Sequence, residues 1–114
     1  MDNSTTVAKV REIDTQDIRD HYRRGFGHWF DADTLRFFRS RVGGTAYNDG
    51  ERAYFVSSEQ SDWNSPRLYS VRCYIWATRE IYTVGEFQAY ASRNGAHAAA
   101  YRLALAGSGA TVGV

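Results

Sequence analysis

The chain holds a single cysteine, Cys73, among its 114 residues, so no disulfide can form within it. That excludes a stapled secreted scaffold and favours a reducing compartment. Lysine is nearly absent: Lys9 stands against thirteen arginines. The formal net charge is +1, so nucleic-acid binding through bulk charge is not implied. No apolar run approaches the length of a membrane span. The opening residues MDNSTTVAKV are polar and carry no apolar core of signal-peptide type, so the expected compartment is the cytoplasm. Histidines are few and scattered at positions 21, 28 and 97, without a His-x-x-x-His pair, and there is no second cysteine. A zinc site therefore has no sequence support, and no metal or cofactor is expected.

Aromatics, by contrast, make up 15 % of the residues, enough to give one compact domain a core. The polar start reads as a flexible lead-in over 1–13, with Val7 to Ile13 either a short strand or extended chain. The domain spans 14–106, and 107–114, GSGATVGV, reads as a flexible tail. DTQDIRDHYRRG predicts a helix: Asp14 or Thr15 caps it, Asp17 suits its first turn, and Ile18 and Tyr22 share one face. Gly25 stands at its end. The aromatic connection GFGHWF is expected to pack on the core.

Asp31 or Asp33 caps a short helical turn through Leu35 and Phe37. From Phe38 the alternation of Phe38, Ser40 and Val42 with Arg39 and Arg41 predicts a strand. Asp49-Gly50 is a tight-turn signal, and RAYFVSSE is the returning strand. SSEQSD, with Glu59 and Asp62, reads as a solvated strand end. A polar loop follows, punctuated by the only proline, Pro66. RLYSVRCYIWAT is the clearest strand, with Tyr69, Val71, Cys73 and Ile75 on one face. Leu68, Ser70, Arg72, Tyr74 and Trp76 line the other. IYTVGEFQAY predicts a fourth strand, with Gly85 as a bulge. Ser92 caps a last helix, in which Ala96, Ala99, Ala100 and Leu103 form a small-residue face that lets it lie close on a sheet. The expected class is α+β: an N-terminal helix, a four-stranded antiparallel meander and a C-terminal helix packed on the sheet, with the helices on one face.

The passage YASRNGAHAAAYRLA is loosely similar to the last helix of double-stranded-RNA-binding domains. It keeps the paired alanines and loses the lysines that meet phosphates, so RNA binding through it is not expected. A wider resemblance is carried by DIRDHYRRGF, DTLRFFRSRV, YFVSSEQ, SPRLYSVR and TVGEFQAYASRNGAHAAA. Together these resemble a family of small uncharacterised proteins of actinobacteria and their phages, over roughly residues 14 to 100. The resemblance transfers no catalytic residue. It implies an accessory protein of a bacterial or phage genome, in keeping with the arginine-rich composition.

No catalytic constellation is visible. Cys73 falls mid-strand, where a buried, inert thiol is expected. The glycines of RVGGTAYNDG are followed by no Gly-Lys-Ser/Thr and do not form a phosphate loop. The constellation that stands out is basic and aromatic. If one sheet face is open, Arg72, Tyr74 and Trp76 lie on it, joined by Arg39 and Arg41. Arginine beside tyrosine and tryptophan is the composition of a protein-interface hot spot. The leading expectation is a non-enzymatic protein that binds a host or phage protein, or a second copy of itself, through that face. The alternative is a nucleic-acid-binding module, with bases stacked on the aromatics and arginines on phosphates.

Overall fold

A computed structural model describes residues 10–25 and 27–107. Phe26 of the aromatic connection, most of the expected lead-in and all but the first residue of the expected tail lie outside them. The elements in order are β1 (Arg11–Asp14), α1 (Thr15–Arg23), α2 (Ala32–Phe38), β2 (Arg41–Val42), β3 (Thr45–Asn48), β4 (Arg52–Glu59), β5 (Leu68–Ile75), β6 (Glu80–Val84) and α3 (Arg93–Gly107). The class is α+β with an antiparallel sheet and a C-terminal helix, but the sheet has six strands rather than four.

The centre of the sheet is the pair β4–β5. It runs in register over eight residues, with Ser57 opposite Ser70 and Phe55 opposite Arg72. Both strands are rich in Tyr, Phe, Val and Ile, which suit a pleated, buried surface. β6 continues the sheet beyond β5. On the other side β3 joins β4 through the Asp49-Gly50 turn. Gly50 takes φ 102, and the Asp49 carboxylate accepts from the amides of Glu51 and Arg52 at 2.9 and 2.8 Å. β1 pairs outside β3, from Arg11 opposite Asn48 to Asp14 opposite Thr45, so residues 11–13 belong to the sheet.

Two expectations about local structure are corrected. The segment from Phe38 is not a continuous strand. Asp31 caps α2, its carboxylate accepting from the Asp33 amide at 3.1 Å, and Arg36 pairs with Asp33 at 3.0 Å. These local bonds carry the helix through Phe38, where alternation alone suggested extended chain. Arg39 then ends it in the left-handed region, φ 54, with the Ser40 amide donating to Leu35 O at 2.9 Å. What remains of the strand is split at Gly43-Gly44 into β2, opposite Ser57 and Ser58, and β3, opposite Ala53 and Tyr54. The expected fourth strand is also shorter. It ends at Val84 as Gly85 turns with φ 73, and the chain returns only for a bridge between Tyr69 and Tyr90.

The helices do not share a face. Ala96, Ala99, Ala100 and Ala104 of α3 lie on Tyr54, Val56, Val71 and Cys73. Ser92 opens this helix, its hydroxyl accepting from the Gly95 amide at 3.0 Å. A methyl group is all that separates these positions of α3 from the strands, so the alanines set a close approach. On the opposite face, Ile18 of α1 and Phe30 pack with Phe55 and Tyr74. α1 is nine residues long, capped by Asp14. Its apolar partners, rather than helix propensity, must hold so short a helix in place. The result is three layers, with β4 and β5 buried between them.

Candidate functional site

The polar centre of the α1-side face is a buried ion pair. Arg72 Nη2 donates to Glu59 Oε2 at 2.8 Å, with the two side chains 10 % and 1 % exposed. Arg72 Nε donates to Ser57 Oγ at 2.8 Å and Nη1 to Thr83 Oγ1 at 2.5 Å. The Glu59 carboxylate also accepts from the Ser70 hydroxyl at 2.9 Å and from the Ser57 hydroxyl. Three adjacent strands supply these groups, so the network closes only when the sheet is in register. Its satisfied hydrogen bonds offset the cost of burying two charges. The guanidinium is also flanked by rings, 5.0 Å from the Trp29 centroid and 5.3 Å from that of Phe87. Glu59 is therefore not at a solvated strand end; the expectation is corrected because β2 and β5 flank it and Arg72 draws it inward.

Beside this network opens an aromatic cleft of about 370 Å³, lined by Trp29, Leu35, Phe38 and Phe87, with Arg72 among its lining residues. Phe38 and Phe87 are 59 % and 54 % exposed, and Phe37 is 78 % exposed. Phe37 and Phe38 meet edge to face at 4.7 Å. A second cleft, about 430 Å³, is lined by Arg36, Arg39, Arg41 and Arg67 on the other side of Leu35 and Ser40. Arg67 is anchored there by donating to Ser58 O at 3.1 Å.

The five residues singled out by alternation are thus divided. Arg72, Tyr74 and Trp76 lie in line on one sheet face, but that face is covered by α1 and the 29–30 segment rather than open. Tyr74 is fully buried, and its hydroxyl shares a 2.5 Å hydrogen bond with His21 Nδ1. Trp76 is half-buried and donates to Asn48 Oδ1 at 3.0 Å. Arg39 and Arg41 are exposed and come together at the second cleft, apart from Tyr74 and Trp76. Glu59, Ser57, Ser70 and Thr83 were not singled out. Their signal was there in hydroxyls two positions from a charge, Ser57-x-Glu59 and Ser70-x-Arg72, on two successive apolar strands.

His21, His97, Cys73 and Tyr54, outside this network, are engaged or buried in the fold. Burial and then the charges of Arg79 and Arg24 hold His21 below its usual 6.5. His97 meets the Tyr47 hydroxyl at 3.0 Å, and burial, then Arg93, hold it low as well. Burial pushes the Cys73 thiol up and the Tyr54 phenol to about 12. Among the described residues no three of His, Cys, Asp and Glu are grouped to hold a metal ion, and no helix is long and apolar enough to cross a membrane.

Fold and site together define a small three-layer α+β protein with a buried arginine–glutamate pair beside an aromatic cleft. The chain belongs to a family of unknown function (DUF7447), whose model matches residues 14–101. No curated protein and no solved structure matches it.

Proposed function

We propose that this protein is a non-enzymatic binding protein that docks a protein partner on the aromatic cleft. The observation that carries this reading is the exposure of Phe38 and Phe87 at one apolar opening, with the exposed Phe37 ring set against Phe38 beside it. Large apolar side chains clustered at the surface are the usual mark of an interface. The arginines of the neighbouring cleft, Arg36, Arg39, Arg41 and Arg67, supply a basic rim. The partner that fits is a protein surface with an apolar or aromatic anchor flanked by carboxylates, the arrangement of a hot spot with a charged border. Arg72 serves this surface from below, by fixing the rings of Trp29 and Phe87. The buried Cys73 and the tyrosine-bound His21 and His97 support a non-catalytic role. The arginine-rich composition supports an accessory protein of actinobacteria or their phages, acting in the bacterial cytoplasm on a host or phage protein. Modulation of a host or defence function is the concrete version.

The test is capture from an actinobacterial lysate by wild-type protein and by the double variant Phe37→Ser, Phe38→Ser. Both positions are exposed, so the variant keeps its fold. Loss of a captured protein in the variant supports the reading; equal capture refutes it. The four-arginine cleft favours one second reading, a nucleic-acid-binding module. That reading requires an affinity that falls steeply with salt, and a flat salt response excludes it.

A further inference from the structure

A different cleft, about 610 Å³, lies at the break between β2 and β3. Arg19 of α1, Arg41 of β2, and Arg93 and His97 of α3 line it, and among the described residues no carboxylate does. Elements from both faces of the sheet meet there because β4 has no strand partner on that side between Tyr54 and Ser57. Gly43 and Gly44 bridge the gap. A Cβ built on either would meet nothing within 4 Å, so their backbone faces open space.

The charges in this cleft are unbalanced. The ion pairs among the described residues are Arg36–Asp33 and Arg72–Glu59, which leaves Arg19, Arg41 and Arg93 without a carboxylate partner. Arg19 holds Val42 O with Nη1 at 3.4 Å, but its Nε is buried with no hydrogen-bond partner. That Nε is enclosed by protein, so an anion in the cleft answers the unbalanced charge of the three arginines rather than this donor. The guanidinium fork matches phosphate oxygens, and the hydroxyls of Ser40 and Thr45 at the same wall offer neutral donors. The volume is that of a small-molecule site rather than of a single ion.

We propose that this cleft binds a small phosphate ester of nucleotide size, its phosphate charge met by Arg19, Arg41 and Arg93. The assignment does not rest on the aromatic cleft and stands or falls without it.

The test is thermal stabilisation and calorimetry of the full chain with four probes: pyrophosphate, ADP, adenosine and a short single-stranded oligonucleotide. Pyrophosphate and ADP are expected to bind and raise the melting temperature, and adenosine is not. Arg41→Gln and Arg93→Gln change exposed positions and leave the fold intact. Each is expected to weaken ADP binding about tenfold, the loss of one charge-assisted contact. Arg19→Gln should weaken it at least as much. No binding of pyrophosphate or ADP at millimolar concentration overturns the proposal, as does equal binding of adenosine. Unchanged ADP affinity in both exposed variants overturns it too. Oligonucleotide binding much tighter than ADP, with the same arginine dependence, would overturn the small-molecule assignment in favour of a polynucleotide.

Discussion

Replacing Arg72 with methionine keeps most of the buried stem and deletes the guanidinium. Glu59 is then left 1 % exposed with only the Ser57 and Ser70 hydroxyls as donors. Breaking a buried pair from one side costs about 3–5 kcal/mol, because the remaining charge has neither water nor counter-ion. The lost ring contacts with Trp29 and Phe87 add about 0.5–1 kcal/mol each. A domain of this size has about 5–15 kcal/mol to lose, so the variant gives up a large share of its stability. The melting temperature should fall by about 15–30 °C. Urea unfolding followed by tryptophan fluorescence measures the loss directly. The second half of the test is the double variant Arg72→Met, Glu59→Leu, which removes both charges. It should be more stable than the sum of the two single losses predicts, by about 1–3 kcal/mol. A single Arg72→Met variant within about 1 kcal/mol of wild type, or strictly additive losses, would refute the description of a coupled buried pair.

Other perturbations follow from the same geometry. Ala100→Leu puts a larger side chain where α3 lies on the sheet with no exposure, and should cost about 1–3 kcal/mol by chemical denaturation. Ser92→Ala removes the acceptor for the Gly95 amide and should cost about 1 kcal/mol, with faster amide exchange confined to the first turn of α3. His21 and His97 are both held below 6.5, so the fold favours their neutral forms. Their contribution is complete above about pH 6.5 and is lost as the pH falls from there through the lower folded values. The urea midpoint should therefore be lower at about pH 5.5 than at about pH 7.5, and His97→Gln should flatten that difference.

Much of the fold was legible because its signals are local. Asp14 and Ser92 cap α1 and α3, Asp49-Gly50 turns β3 into β4, and the alternation along β5 divides its faces correctly. Tyr69, Val71, Cys73 and Ile75 do lie on the α3 side, and Arg72, Tyr74 and Trp76 on the other. What the alternation could not tell is whether water or protein covers a face. Ser70, Arg72 and Tyr74 look half-exposed in sequence, yet Gln88 meets Ser70, the rings of Trp29 and Phe87 flank Arg72, and Ile18 and Phe30 pack on Tyr74. The arginine was read as an outward contact because its partner, Glu59, lies thirteen residues away and becomes adjacent only through strand register. The failure at Phe38 was of another kind. The alternating pattern there competed with a capped helix, and the short-range bonds of Asp31 and Asp33 decided it. β1 was weakly marked because a four-residue edge strand with exposed positions carries little hydrophobic pattern. Phe38 was absorbed into that mistaken strand, which hid the exposed surface it forms with Phe37, now proposed to bind.

The measurement that bears most directly on the proposed role is quantitative capture by the wild-type chain and by Phe37→Ser, Phe38→Ser, with nuclease treatment in parallel. A protein recovered in stoichiometric amount with wild type, insensitive to nuclease and lost from the variant, is the predicted result. A protein retained equally by the variant, or capture that disappears with nuclease, would contradict docking on the aromatic cleft.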